Sequence, residues 1–216
     1  MPITNYIEGG SREQPFRILI AGCSGSGKSN ILLNLIYEKL QFDRLYFCAK
    51  DLTEQSYEKL MKQYTKYDGI KKTELRKKYR QLIGDYEMFA KDAYFYNCQE
   101  DMVCVDDLDK TKTNLVVFDD CITDKNQDKI TEFFIRGRKK NAHVIYLSQS
   151  YYATPITIRR NCNVFIFCSI RKRDIGIILR EIDGNFPQKL KLKPYDFIVL
   201  NTDTLTDRYV LNRLNI

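Results

Sequence analysis

Histidine is all but missing from this chain of 216 residues: His143 is the only one, and the seven cysteines (Cys23, Cys48, Cys98, Cys104, Cys121, Cys162, Cys168) form no C-x-x-C pair. That inventory speaks against a zinc site, and an odd count without paired spacing points to reduced, structural thiols. Long apolar runs are missing too. No stretch approaches the roughly 18 residues that a bilayer span requires, and the polar segment Met1 to Gln14 lacks the apolar centre of a signal peptide, so a cytosol-like compartment and no membrane partner are expected. Nor does any repeat, linker or low-complexity block divide the sequence. What is present is 44% hydrophobic residues, enough for a real core, and a formal charge of +7. The expectation is one α/β domain over residues 1–216, with short tails at 1–14 and 202–216, the latter ending in a small strand.

Gly22-Cys23-Ser24-Gly25-Ser26-Gly27-Lys28-Ser29 matches the phosphate-loop pattern G-x-x-x-x-G-K-[ST] at every fixed position. Its flanks are those the loop needs. Phe16 to Ala21 reads as a buried strand, and Asn30 to Leu40 repeats Ile31, Leu32, Leu35, Ile36 and Leu40 at helical spacing. Glycines there let the backbone take positive φ so that N–H groups converge on a β-phosphate at the positive end of the following helix. Lys28 would reach the β- and γ-phosphates, and the Ser29 hydroxyl would take a magnesium position. A plain glycine-rich turn gives Lys-Ser at a helix start no packing purpose. ATP and Mg2+ are therefore the expected ligands. Cys23, inside the loop at a helix N-terminus, is a candidate nucleophilic thiolate.

Asn114-Leu115-Val116-Val117-Phe118-Asp119-Asp120 is an apolar strand ending in two carboxylates, the form of a Walker B segment. Asp119 would hold magnesium through its water shell. Asp120 would polarise an attacking water as general base, and that second carboxylate favours hydrolysis over transfer to a small acceptor. The alternative is a strand followed by an aspartate-rich turn. A further strand, His143 to Gln149, ends in an amide. Gln149 senses the γ-phosphate if this strand lies between the phosphate loop and Walker B; otherwise Ser148-Gln149-Ser150 begins a loop.

Other segments carry less chemistry. Leu45 to Cys48, Ala93 to Tyr96, Val164 to Cys168 and Phe197 to Leu200 read as strands, with helices at Asp128 to Lys140 and Asp174 to Ile182. A charged, mostly helical insertion occupies about 52–90. Its Lys71, Lys72, Arg76, Lys77 and Lys78 are either a polyanion contact or a solvated helix face balanced by Glu54, Glu58, Glu74 and Asp85. The alternation of strands and helices predicts a three-layer α/β domain with a mainly parallel central sheet and catalytic loops at the C-terminal strand ends.

The phosphate loop, Val117-Phe118-Asp119-Asp120, Arg136-Gly137-Arg138, Tyr146-Leu147-Ser148-Gln149-Ser150-Tyr151 and Pro155 with Ile158-Arg159-Arg160-Asn161 together resemble the poxvirus-like genome-packaging ATPases of large double-stranded DNA viruses and virophages. These belong to the FtsK/HerA superfamily of P-loop NTPases, with a RecA-like (ASCE) fold, and the resemblance spans about residues 15–201. It implies an ATP-hydrolysing motor, a homo-oligomeric ring (pentamer or hexamer) that translocates double-stranded DNA into a preformed capsid and contacts capsid protein. It places the chain in the host cytoplasm (viral factory) or the virion. Asp120 stands where many superfamily members carry glutamate, one methylene shorter, and Lys139 where related enzymes often have histidine. The alternatives are a translocase or helicase of the same superfamily not tied to a capsid, and a P-loop kinase, which leaves Asp120 and Gln149 idle.

A ring motor needs a cation delivered in trans to the γ-phosphate. By the resemblance, the superfamily's finger precedes the glutamine-bearing strand. Arg138 is the first candidate there, beside Arg136, with Arg159 or Arg160 as runners-up and solvent-exposed helix ends as the plain alternative. From Lys129 to Lys193 the chain holds 14 Lys/Arg against 4 Asp/Glu. Arg171-Lys172-Arg173 and Lys189, Lys191 and Lys193 are thus candidates for sequence-independent contact with DNA phosphates, the other readings being an ordinary basic surface or an acidic capsid partner.

Overall fold

The computed structural model describes residues 15–65, 92–123, 126–168, 170–182, 196–203 and 209–213. One eight-stranded sheet runs through them, in the order β3-β2-β4-β5-β1-β6-β7-β8. Its strands are β1 Arg17–Ala21, β2 Arg44–Ala49, β3 Asp92–Tyr96, β4 Asn114–Asp119, β5 Ala142–Ser148, β6 Val164–Phe167, β7 Asp196–Asn201 and β8 Tyr209–Arg213. The first six are parallel, and β7 and β8 add an antiparallel edge, so the strand expected in the tail at 202–216 exists. The helices are α1 Lys28–Asn34, α2 Gln55–Thr65, α3 Asp128–Arg136, α4 Ile156–Asn161 and α5 Lys172–Glu181.

Three layers follow from the alternation of side chains along each strand. Ile18 and Ile20 face one core with Ile31, Leu32, Tyr57 and Leu60, from α1 and α2, while Leu19 and Ala21 face a second with Phe133, Phe134, Ile158 and Ile178, from α3, α4 and α5. Most of these side chains are fully buried. At roughly 2 kcal/mol for each large apolar side chain taken from water, both faces contribute heavily to stability.

Three local outcomes differ from the sequence reading. The helix expected from Asn30 starts at Lys28 and widens into π turns over Leu35–Lys39. The helix expected over Asp128 to Lys140 is α-helical only to Arg136 and tightens into a 3-10 turn at Gly137–Lys140. Close packing accounts for that change: a Cβ on Gly137 would lie 3.2 Å from Cγ2 of Val144, and Asn141, at φ 51°, ends the turn in the left-handed region. Helix α4 was not foreseen; it follows Pro155, its N-cap, whose fixed φ suits the approach to a helix. Of the insertion at 52–90 the described part is Leu52 to Thr65, and Lys71, Lys72, Arg76, Lys77 and Lys78 lie outside the described residues, as do Lys189, Lys191 and Lys193. Among the described residues no helix is long and apolar enough to cross a membrane.

Candidate nucleotide site

Strand β1 ends at Ala21 and delivers the glycine-rich segment to the C-terminal edge of the sheet. Gly25 and Gly27 have φ of 71° and 93°, which is why glycine stands at both. Ser26 N–H donates to the Cys23 carbonyl (3.2 Å), Gly22 N–H donates to the Ser148 carbonyl of β5 (3.1 Å), and Gly27 is the N-cap of α1. Lys28 Nζ folds across the turn and donates to the same Cys23 carbonyl at 3.0 Å. The loop thus curls back on itself with its lysine folded over it.

The carboxylates arrive from two strands away. Since β5 lies between β1 and β4, with Ala21 level with Ser148 and Asp119 level with Leu147, Gln149 emerges between the loop and the Asp119-Asp120 pair. Its Nε2 donates to Asp120 Oδ1 at 3.2 Å, and both side chains are exposed. Asp120 adopts φ 52°, a left-handed conformation uncommon for a residue with Cβ, which turns its carboxylate sharply off the strand. Behind that turn, Gln127 Nε2 donates to the Cys121 carbonyl (2.6 Å) and Lys50 donates to Thr123.

Asp119 sits deeper. Burial pushes its carboxyl above the usual range; the Tyr57 hydroxyl bond opposes this, Glu54 and Asp120 add to it, and Lys28 opposes it. Tyr57, fully buried at the start of α2, donates its hydroxyl to Asp119 Oδ2 at 2.5 Å. A cation beside Asp119 would offset that desolvation, and the Ser29 hydroxyl with the Asp119 carboxylate is a hard oxygen set that fits Mg2+. Among the described residues no cluster of three or more His, Cys, Asp or Glu could hold a metal.

The glycine-rich loop, a carboxylate pair and an amide now stand together at the C-terminal ends of β1, β4 and β5. The sequence profile described as Poxvirus A32 protein matches residues 6–211. The chain belongs to the poxvirus A32 protein family. Solved structures agree in fold. The genome packaging NTPase B204 from Sulfolobus turreted icosahedral virus 2, in complex with ATP-gammaS, superposes with a TM-score of 0.59 at 13% identity, covering 95% of this chain and 100% of that one. B204 from Sulfolobus turreted icosahedral virus, described as its DNA-packaging ATPase, gives 0.58 at 16% identity over 92% and 97%. ATPases 2 and 3 of EssC from Geobacillus thermodenitrificans give 0.52 at 13% identity, covering 95% of this chain and 40% of that one. No curated protein matches the chain.

In this A32-family chain the arginines separate. Arg159 is buried, with a bidentate bond to Glu181 (2.9 and 2.8 Å) and a further bond to the Tyr152 carbonyl (2.9 Å), which ties it to structure. Arg136 is paired with Glu132 and Asp106. Arg138 and Arg160 are exposed, Arg138 in the 3-10 turn that leads into β5. Arg171 Nε lies 3.4 Å from Cys23 Sγ in the glycine-rich loop, and Arg173 stacks on the Tyr152 ring at 3.5 Å. Tyr57 was missed. Its partner is 62 positions away, and nothing in a charged helical stretch singles it out.

Proposed function

We propose that this A32-family chain is an ATPase that drives double-stranded DNA into a preformed capsid. The observation that carries the reading is the convergence of Lys28, Asp119, Asp120 and Gln149 at the C-terminal ends of β1, β4 and β5. Family membership and the fold shared with packaging NTPases, one of them holding ATP-gammaS, support the substrate. We read residues 1–216 as one ATPase domain with its core at about 15–201.

In this mechanism the backbone N–H groups of Gly22 to Ser29 and the Lys28 ammonium bind the β- and γ-phosphates and neutralise charge as it builds. Ser29 and Asp119 would hold Mg2+, which would supply further neutralisation of phosphate charge. Asp120 accepts a proton from water as the water oxygen bonds to the γ-phosphorus and the bond to the ADP oxygen breaks. The 3.2 Å bond from Gln149 orients that carboxylate and links it to the loop-side strand. Arg138 acts on the γ-phosphate of a neighbouring subunit in a ring of five or six. Basic side chains between Lys129 and Lys193 hold the DNA backbone.

ATP turnover measured with and without duplex DNA tests this. Turnover is expected to rise with DNA of any sequence, and the rise to shrink steeply as salt increases. Asp120→Asn is expected to keep nucleotide binding and lose about a hundredfold or more in turnover. Phosphate transfer to a small acceptor, or turnover indifferent to DNA, would overturn the motor reading.

A further inference from the structure

Tyr57 lies where the two halves of the magnesium site meet. Its ring is fully buried, packed edge-on against Phe47 of β2 (ring centroids 4.9 Å apart), and its hydroxyl is turned to Asp119 Oδ2. Ser29, the loop residue read as a metal ligand, lies near the same hydroxyl. A side chain filling space in this core would be phenylalanine, as at Phe47 and Phe118; a buried phenol needs a partner, and here the partner is the Walker B carboxylate. Geometry also divides the work of Asp119. With Oδ2 engaged by the phenol, Oδ1 would be the oxygen available to a metal's water shell.

We propose that Tyr57 is a positioning residue for magnesium: its hydroxyl, carried on α2, holds the Asp119 carboxylate, beside Ser29, in the orientation that the metal requires. It touches neither nucleotide nor the reacting atoms and acts through Asp119. Helix α2, the start of the charged insertion, thereby has a function of its own, since displacing it would withdraw the hydroxyl and loosen the metal without disturbing the phosphate loop. The inference rests on the reading of Ser29 and Asp119 as the magnesium site.

Tyr57→Phe keeps the ring and its contact with Phe47. ADP affinity is measured by calorimetry in EDTA and in excess MgCl2, on the full chain. Wild-type protein is expected to bind ADP more tightly with MgCl2; no such gain would remove the magnesium reading itself. Given that gain, the variant is expected to match wild type in EDTA and to need about ten to a hundred times more Mg2+ for the same tightening, the scale on which outer-shell partners act. In an Asp119→Asn background the same change should add no further loss. An unaltered Mg2+ requirement, or equal weakening with and without the metal, would overturn the proposal, the latter because it marks a packing role alone. Should Tyr57→Phe not fold, the wild type still decides. The chain has no tryptophan, so its near-ultraviolet spectrum reports tyrosine. Adding MgCl2 to the ADP complex is expected to perturb a buried tyrosine, and a flat difference spectrum would reject the link.

Discussion

His143 shows how one side chain sets a response of the whole molecule to acid. Phe16 N–H donates to its Nδ1 at 3.0 Å, and the imidazole stacks on the Phe16 ring with centroids 5.5 Å apart. An Nδ1 that accepts a hydrogen bond cannot also carry a proton, and burial lowers the pKa of this histidine from 6.5 to about 4. Between those values the unfolded chain binds the proton that the native state refuses. Stability is therefore complete above pH 6.5, declines as the pH falls towards 4, and loses about 3 kcal/mol over that window from this group. Urea melts at both ends of the window measure the loss. His143→Gln, whose side-chain oxygen can accept the same N–H without titrating, is expected to remove that share of the acid sensitivity. A variant as acid-sensitive as wild type would show the loss to come from carboxylates instead.

At the level of elements, α4 is held by one cation. The Arg159 guanidinium binds both oxygens of Glu181 on α5 and the carbonyl of Tyr152, and it lies 5.1 Å from the Tyr151 ring centroid. Arg159 is 8% exposed. Removing one member of such a pair strands the other, so Arg159→Ala is expected to cost about 3 kcal/mol or more in chemical denaturation, while Arg160→Ala, at an exposed position, should change stability by less than about 1 kcal/mol. This element also marks how far the sequence could be read. The loop Gly22 to Ser29 and the pair Asp119-Asp120 were legible because their chemistry is contiguous, and because buried parallel strands leave apolar runs on either side. Gln149 needed one further inference, the position of β5 between β1 and β4, which the pairing of both neighbours bears out. Arg159 and Tyr57 were not legible in their roles: each is defined by partners 22 and 62 positions away, and only the folded sheet brings those together. Helix α4, six residues long, is too short to display a period.

On the scale of the molecule, the two ends of the sheet carry different duties. Phosphate loop, Asp120 and Gln149 stand at the C-terminal ends of the strands, whereas Arg138 precedes β5 at the other end, where burial and, after it, the Arg138 charge lower the pKa of Arg17 at the start of β1. A seven-residue strand such as β5 spans about 20 Å, well beyond the reach of an arginine side chain, so Arg138 cannot serve the γ-phosphate of its own subunit. If it serves any, that phosphate lies on a neighbour, and the two lesions become separable in a mixed assembly. Lys28→Ala subunits keep the arginine and lose the pocket; Arg138→Ala subunits keep the pocket and lose the arginine. Each alone is expected to have little assembly-dependent turnover, with ATP binding retained in Arg138→Ala. Mixed in equal amounts, they should recover part of it, because some intact pockets then face an intact arginine. Turnover that stays at the sum of the separate preparations, or an Arg138→Ala assembly as active as wild type, would assign the trans cation elsewhere. Arg160 would be the next residue to test, since Arg159 is tied to Glu181 and Arg136 to Asp106 and Glu132.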